Sequence, residues 1–214
     1  MKVLSYTILF SFVVLLNSCG SIRNAYYKKK YGIYQPKIED ENSVRAYLQN
    51  VIHDTTLAFC LSDTMFIQHS KQKYKTHLKG QKYPQIRCFD NQGRIVMQWA
   101  TCEGFLHDLD LFNTYPPKNP NNLDTQVTWT KTINELSLLN GSKVDESQWN
   151  ISKYDLIFVV YFTQYFRYNG DAALKRISKY ISKYSNKKFL FLKVDADAMN
   201  FWQAEINMNL KFKS

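Results

Sequence analysis

The residues best suited to covalent chemistry are the four cysteines, Cys19, Cys60, Cys88 and Cys102. Beyond Cys19 they number three, so an oxidising compartment allows at most one disulfide within the chain and leaves one thiol free. No C-x-x-C occurs, and no His/Cys spacing matches a structural zinc site. Cys102 is followed by His107-Asp108, the one nearby nucleophile–base set, and is the candidate catalytic thiol. Glu103 beside it would raise a thiol pKa rather than lower it. Asp195 and Asp197 could hold a cation at the end of a strand, but two carboxylates without further acidic partners read as an exposed turn. His53, His69, His77 and His107 are dispersed, so no metal site is expected. Tyr165, Phe166, Arg167 and Tyr168 form an aromatic, cationic run that would make a binding surface if exposed.

The chain opens with Lys2 and an apolar run, Val3 to Leu16, interrupted by Ser5, Tyr6, Thr7 and Ser11. A helix of ~14 residues rises ~21 Å, short of a ~30 Å hydrocarbon core, so the run is an export h-region rather than a span. It ends in Leu16-Asn17-Ser18-Cys19-Gly20, which resembles the lipobox of bacterial lipoproteins. The resemblance implies a diacylglycerol on the Cys19 sulfur, cleavage before Cys19 and acylation of the new amino group, palmitate among the acyl chains. Several acyl chains tether a protein stably to a membrane without spanning it. Gly20-Ser21 follows, with no Asp to resemble inner-membrane retention, which implies the outer membrane, facing the periplasm of a Gram-negative cell. Residues 1–18 are then the signal peptide and 19–38 a lipidated tether, in which Arg23 and Lys28 to Lys30 alternate with Tyr26, Tyr27 and Tyr31. The formal charge of +10 suits a membrane surface or an acidic cell-wall polymer, and nucleic acid is an unsuitable partner for an exported protein.

Residues 39–214 are read as a single α/β domain. Val44, Tyr47, Leu48 and Val51 are spaced for a helix over Asp40 to Asn50. Leu57 to Cys60 and Met65 to Ile67 are β-like runs. Pro84 to Trp99 reads as a hairpin turning at Asp90-Asn91-Gln92-Gly93. That register faces Ile86 to Met97, Cys88 to Ile95 and Pro84 to Trp99 on one apolar face, with Gln85, Arg87, Arg94 and Gln98 on the other. Cys88 is then core packing, too far from Cys102 for an unforced bridge, while Cys60 could reach either. Asn113 to Gln126 is loop, and Ile133 to Leu139 is a strand or a short helix ended by Asn140-Gly141. Asp155 to Thr163 is apolar on both faces, as a central parallel strand must be. Gln164 to Gly170 is a loop, Asp171 an N-cap, and Ala172 to Ser185 an amphipathic helix. Phe189 to Val194 is a second apolar strand, completing a βαβ unit over 154–198. The tail Glu205 to Phe212 alternates as a half-buried edge strand.

The βαβ unit, ending in Val194-Asp195-Ala196-Asp197, resembles the centre of a thioredoxin-like domain, a mixed sheet in which a strand runs into an active-site loop, a helix and a further strand. The family's C-x-x-C at the helix start is replaced by Thr163-Gln164-Tyr165-Phe166-Arg167-Tyr168-Asn169-Gly170. No proline follows Pro120, so the family's cis-proline is expected to be missing. Too little chain follows Asp197 for the usual final helix and hairpin, and the Pro84 to Trp99 hairpin is expected to fill that side of the sheet. Trp99-Ala100-Thr101-Cys102 is similar to the run before the cysteines of membrane-tethered thiol-disulfide lipoproteins. Together the resemblances imply a lipid-anchored, redox-inactive thioredoxin-like module for binding or assembly, with a protein partner in the cell envelope, no cofactor, and a lean away from enzyme activity. The alternatives are a single-cysteine thiol-disulfide or thiol-dependent enzyme using Cys102, and a binder of acidic envelope glycan through the basic surface.

Overall fold

Strands apolar on both faces must be covered on both, and the two strands of the βαβ unit set the layers of this domain. A computed structural model describes residues 25, 29, 37–68, 83–100, 109–118 and 123–201. The expected signal peptide, Cys19, most of the expected tether, Cys102, His107, Asp108 and the tail Glu205 to Phe212 lie outside the described residues. In chain order the labelled strands and α-helices are β1 (Ile38–Glu39), α1 (Glu41–Ile52), β2 (Ala58–Leu61), β3 (Gln85–Asp90), β4 (Ile95–Ala100), α2 (Trp129–Asn134), β5 (Leu136–Leu138), β6 (Leu156–Phe162), α3 (Arg167–Lys183), β7 (Phe189–Asp195) and β8 (Ala198–Met199), with a further short helical stretch over 63–68.

Six strands form one mixed sheet in the order β4-β3-β6-β7-β2-β5. β6, β7 and β2 are parallel, and the outer strands run antiparallel to their neighbours. Every residue of β6 is buried. Phe158, Val160 and Phe162 meet α1 and α3 through Val44, Leu48, Ala173, Leu174 and Ile177. Ile157, Val159 and Tyr161 belong to the opposite layer, with Trp129 and Ile133 of α2 and Trp149 packed against it. The hairpin lies against β6, as expected, with Gln85 paired to Tyr161.

Three elements differ from expectation for local reasons. The hairpin pairs Ile86 with Trp99 and Cys88 with Met97, then shifts so that Phe89 meets Ile95. The bulge turns Ile95 into the α2 layer, while Ile86, Cys88, Met97 and Trp99 stay on the other face. Gln85 and Arg87, expected on an outward polar face, are buried because α2 and the 144–154 segment cover that side. Residues 63–68 are helical where a β-like run was expected, the Ser62 carbonyl accepting from Phe66 N–H at 2.9 Å. Finally, α3 starts at Arg167, so Asp171 is not a cap. The chain turns earlier because Thr163 Oγ1 accepts from Phe166 N–H at 3.1 Å.

Tyr83–Pro84 and Tyr115–Pro116 are cis. The first lies one residue beyond the Gln85–Tyr161 pair, at the carboxyl end of β6, and precedes the βαβ unit in the chain.

Gly93 closes the hairpin at φ +76, and a Cβ there would lie 2.9 Å from Trp129 Cβ. Gly93→Ala therefore combines left-handed backbone strain with a clash against α2. The urea midpoint should fall by the equivalent of about 1–3 kcal/mol; an unchanged midpoint would show that the α2 layer yields at this point.

Candidate functional site

The sheet delivers two turns to the same edge. The turn after β6, Thr163 to Phe166, leads into α3, and the turn after β7, Ala196-Asp197, leads into β8. Ala196 N–H donates to the Phe162 carbonyl at 2.8 Å, joining the turns at their base. Carboxyl ends of parallel strands are the usual place for ligands in α/β folds.

The proposed binding run divides between surface and core. Tyr165 and Tyr168 are 37% and 49% exposed, Arg167 is exposed and Phe166 is half-buried. Arg167 Nε donates to the Gln164 carbonyl at 3.3 Å, and its guanidinium lies 5.5 Å from the centre of the Tyr47 ring. Tyr47 in turn stacks on Phe162 with ring centres 5.2 Å apart and donates its hydroxyl to Asp171 Oδ1 at 2.5 Å. Gly170 makes room for this arrangement, since a Cβ there would lie 3.2 Å from the Tyr47 hydroxyl. Between α1 and α3 runs a polar groove of about 330 Å³, whose walls include Ser43, Asn50, Gln164, Arg167, Asp171 and Lys175.

Beneath the exposed run, Gln164 is held by both aspartates. Its N–H donates to Asp197 Oδ2 at 2.5 Å, and its side-chain amide donates to Asp195 Oδ2 at 3.1 Å. Asp197 N–H donates to Asp195 Oδ1 at 2.8 Å, closing the second turn. The expectation of an exposed turn is thus corrected: Asp195 is fully buried and Asp197 is half-buried. Tertiary cover explains the difference, because β1 pairs in parallel with β8 immediately after the turn and carries the buried Glu39. Burial pushes the Asp195 carboxyl up to about 6, against its hydrogen bonds and with Glu39 adding to the rise. Burial and the neighbouring Asp195 carry Asp197 well above the carboxylate range. Among the described residues, no group of three His, Cys, Asp or Glu side chains is arranged to hold a metal ion.

A second polar cluster lies on the α2 side of the sheet. Arg87 Nη1 donates to Glu135 Oε2 at 2.7 Å, to Thr132 Oγ1 at 3.0 Å and to the Tyr161 hydroxyl at 3.0 Å. The Tyr161 hydroxyl donates to the same Glu135 oxygen at 2.8 Å. Only 4% of the Arg87 side chain is exposed, so this is a buried charge pair with an aromatic partner.

The thiols separate along the sheet. Cys88 and Cys60 are buried and free, and burial raises both above the ordinary thiol range. Their strands stand three positions apart in the order β3-β6-β7-β2, roughly 14 Å at ~4.8 Å per step. That exceeds the Cα reach of a disulfide. The candidate thiol Cys102 and the expected lipidation site Cys19 lie outside the described residues.

Sequence patterning located Asp195, Asp197 and the exposed run, but not Gln164 as their common partner. Glu39, Tyr47 and Asp171 were likewise missed as neighbours of the site, because contacts between separate elements leave no periodic signal. No family model, curated protein or solved structure matches this chain.

Proposed function

We propose that this protein is an outer-membrane lipoprotein, anchored through Cys19 and facing the periplasm, whose thioredoxin-like domain binds a protein partner and does not exchange disulfides. The observation that carries the reading is the turn after β6: it sits where the family places its redox pair, contains no cysteine, and displays Tyr165, Arg167 and Tyr168 instead. The parallel βαβ unit and the hairpin beside β6 support the thioredoxin-like assignment. The sequence Leu16-Asn17-Ser18-Cys19 supports the anchor.

Metabolic labelling with palmitate should mark the full chain and leave Cys19→Ser unlabelled. Purified protein should reduce insulin disulfides no faster than buffer containing the same reductant. Label retained in Cys19→Ser would overturn the anchor, and thiol-dependent turnover would overturn the binding role.

The exposed run gives a separate expectation. Tyr165→Ala with Tyr168→Ala should change stability by less than about 1 kcal/mol, because both side chains are substantially exposed. A photocrosslinker at position 168 should give a discrete adduct in the cell envelope that Tyr165→Ala removes. Adducts insensitive to that substitution would count against a partner at this surface.

A further inference from the structure

The outer face of α3 has a composition that neither core packing nor the site beside it accounts for. At about 100° per residue, Tyr168, Lys175, Arg176, Lys179 and Lys183 fall within an arc of about 100°, opposite the buried stripe of Ala173, Leu174, Ile177 and Tyr180. No acid lies on that arc. Asp171, the one acidic residue of α3, lies beside the groove and accepts the Tyr47 hydroxyl. Lys175, Lys179 and Lys183 are exposed, as is Tyr168 at the amino-terminal end of the face. Among the described ion pairs none involves Lys175, Arg176 or Lys179. Lys183 makes a neutral contact, donating to the Asn113 carbonyl at 3.0 Å. Unpaired like charges at helical spacing repel one another and weaken the helix slightly, a cost that an anionic surface would relieve.

We propose that this face of α3 docks on an anionic phospholipid bilayer, its cations against headgroup phosphates and Tyr168 at the interface. A bilayer fits better than a small anion because the cationic stretch is extended. It covers about 22 Å from Tyr168 to Lys183 at 1.5 Å per residue, and of its cations Lys175 alone also borders the groove between α1 and α3. An exposed tyrosine at one end of a cationic face suits the headgroup region, where one end of the ring is apolar and the other wet. The proximity of a membrane rests on the proposed Cys19 anchor, and the experiment is chosen so that the two can fail separately.

The full chain carrying Cys19→Ser, which lacks the thiol of the proposed anchor, is sedimented with vesicles of phosphatidylcholine alone or mixed with phosphatidylglycerol. The preference for the anionic vesicles should be clear and should diminish with added salt. Each cation near such a surface contributes roughly fivefold to partitioning, so Lys175→Gln with Lys179→Gln should reduce it about twentyfold or more. The same loss should appear when Lys28, Lys29 and Lys30 are also changed to Gln, which removes the tether's contribution. Both substituted lysines are exposed, so unchanged thermal melts serve as the folding control.

Equal partitioning by the α3 variant and its parent would overturn the proposal and leave the tether as the membrane contact. Absence of an anionic preference would also overturn it. Preferential binding of soluble polyphosphate over the vesicles would assign the face to a soluble polyanion instead. Palmitate labelling at Cys19 reports the anchor independently of every one of these outcomes.

Discussion

Glu135→Ala should unfold the protein at markedly lower urea, losing on the order of 3–5 kcal/mol. The magnitude follows from where Arg87 is left. Its side chain is 4% exposed, its strongest contact is the 2.7 Å bond to Glu135, and its Nε has no partner. Once Glu135 is removed, the guanidinium retains only the neutral oxygens of Thr132 and Tyr161. A buried cation with neutral partners and no counter-charge bears most of its desolvation cost uncompensated. Replacing the whole network should behave differently. Arg87→Met, Glu135→Leu and Tyr161→Phe together should recover most of the loss, since an apolar cluster of similar volume has no charge to desolvate. Equilibrium urea unfolding of the single and combined variants measures the coupling directly. A loss below about 1 kcal/mol for Glu135→Ala would mean that water reaches Arg87 and that the α2 layer is looser than its packing indicates.

Asp197→Asn should stabilise the protein at pH 8 and have little effect near pH 4. Burial raises both Asp195 and Asp197, so the folded state holds protons that the unfolded chain has already released. Unfolded aspartates titrate near 3.8, while folded Asp195 is pushed up to about 6 and Asp197 is raised well above that ordinary value. The pair's contribution is therefore complete below about pH 4 and is lost as the pH rises through the folded values. An amide at position 197 keeps an oxygen to accept the Gln164 N–H but carries no ionisation. The gain at pH 8, absent near pH 4, is read from urea midpoints across the pH range. A pH-independent effect, or a loss at pH 8, would overturn the buried-acid account of this turn.

Hydrophobic patterning made the skeleton legible. The run Leu156–Phe162 could be read as a central strand because seven consecutive apolar residues need two covered faces. The helix over Asp40 to Asn50 could be read from the spacing of Val44, Tyr47, Leu48 and Val51, and capping propensity is met there by Asp40, whose carboxylate accepts the Ser43 N–H at 2.7 Å. The same propensity misled at Asp171, where a good capping residue serves a contact to Tyr47 from another helix. Arg87 and Gln85 misled in a similar way. Alternation along β3 separates its faces correctly, but it does not reveal that the polar face will be covered by chain lying some forty residues further on.

What the sequence determined by itself was the set of local choices: the short apolar run Val3 to Leu16 ahead of Cys19, the periods that separate strand from helix, and the absence of cysteine from Thr163 to Gly170. Only the tertiary structure decided which polar groups would lose water. Asp195 and Asp197 look like a solvated turn until β1, more than 150 positions earlier in the chain, pairs with β8. Their raised pKa values, and the hold on Gln164 beneath the exposed run, then follow from that cover. The physical reason is one of range. Backbone propensity and hydrophobic period act over a few residues, whereas desolvation depends on every element packed around a group.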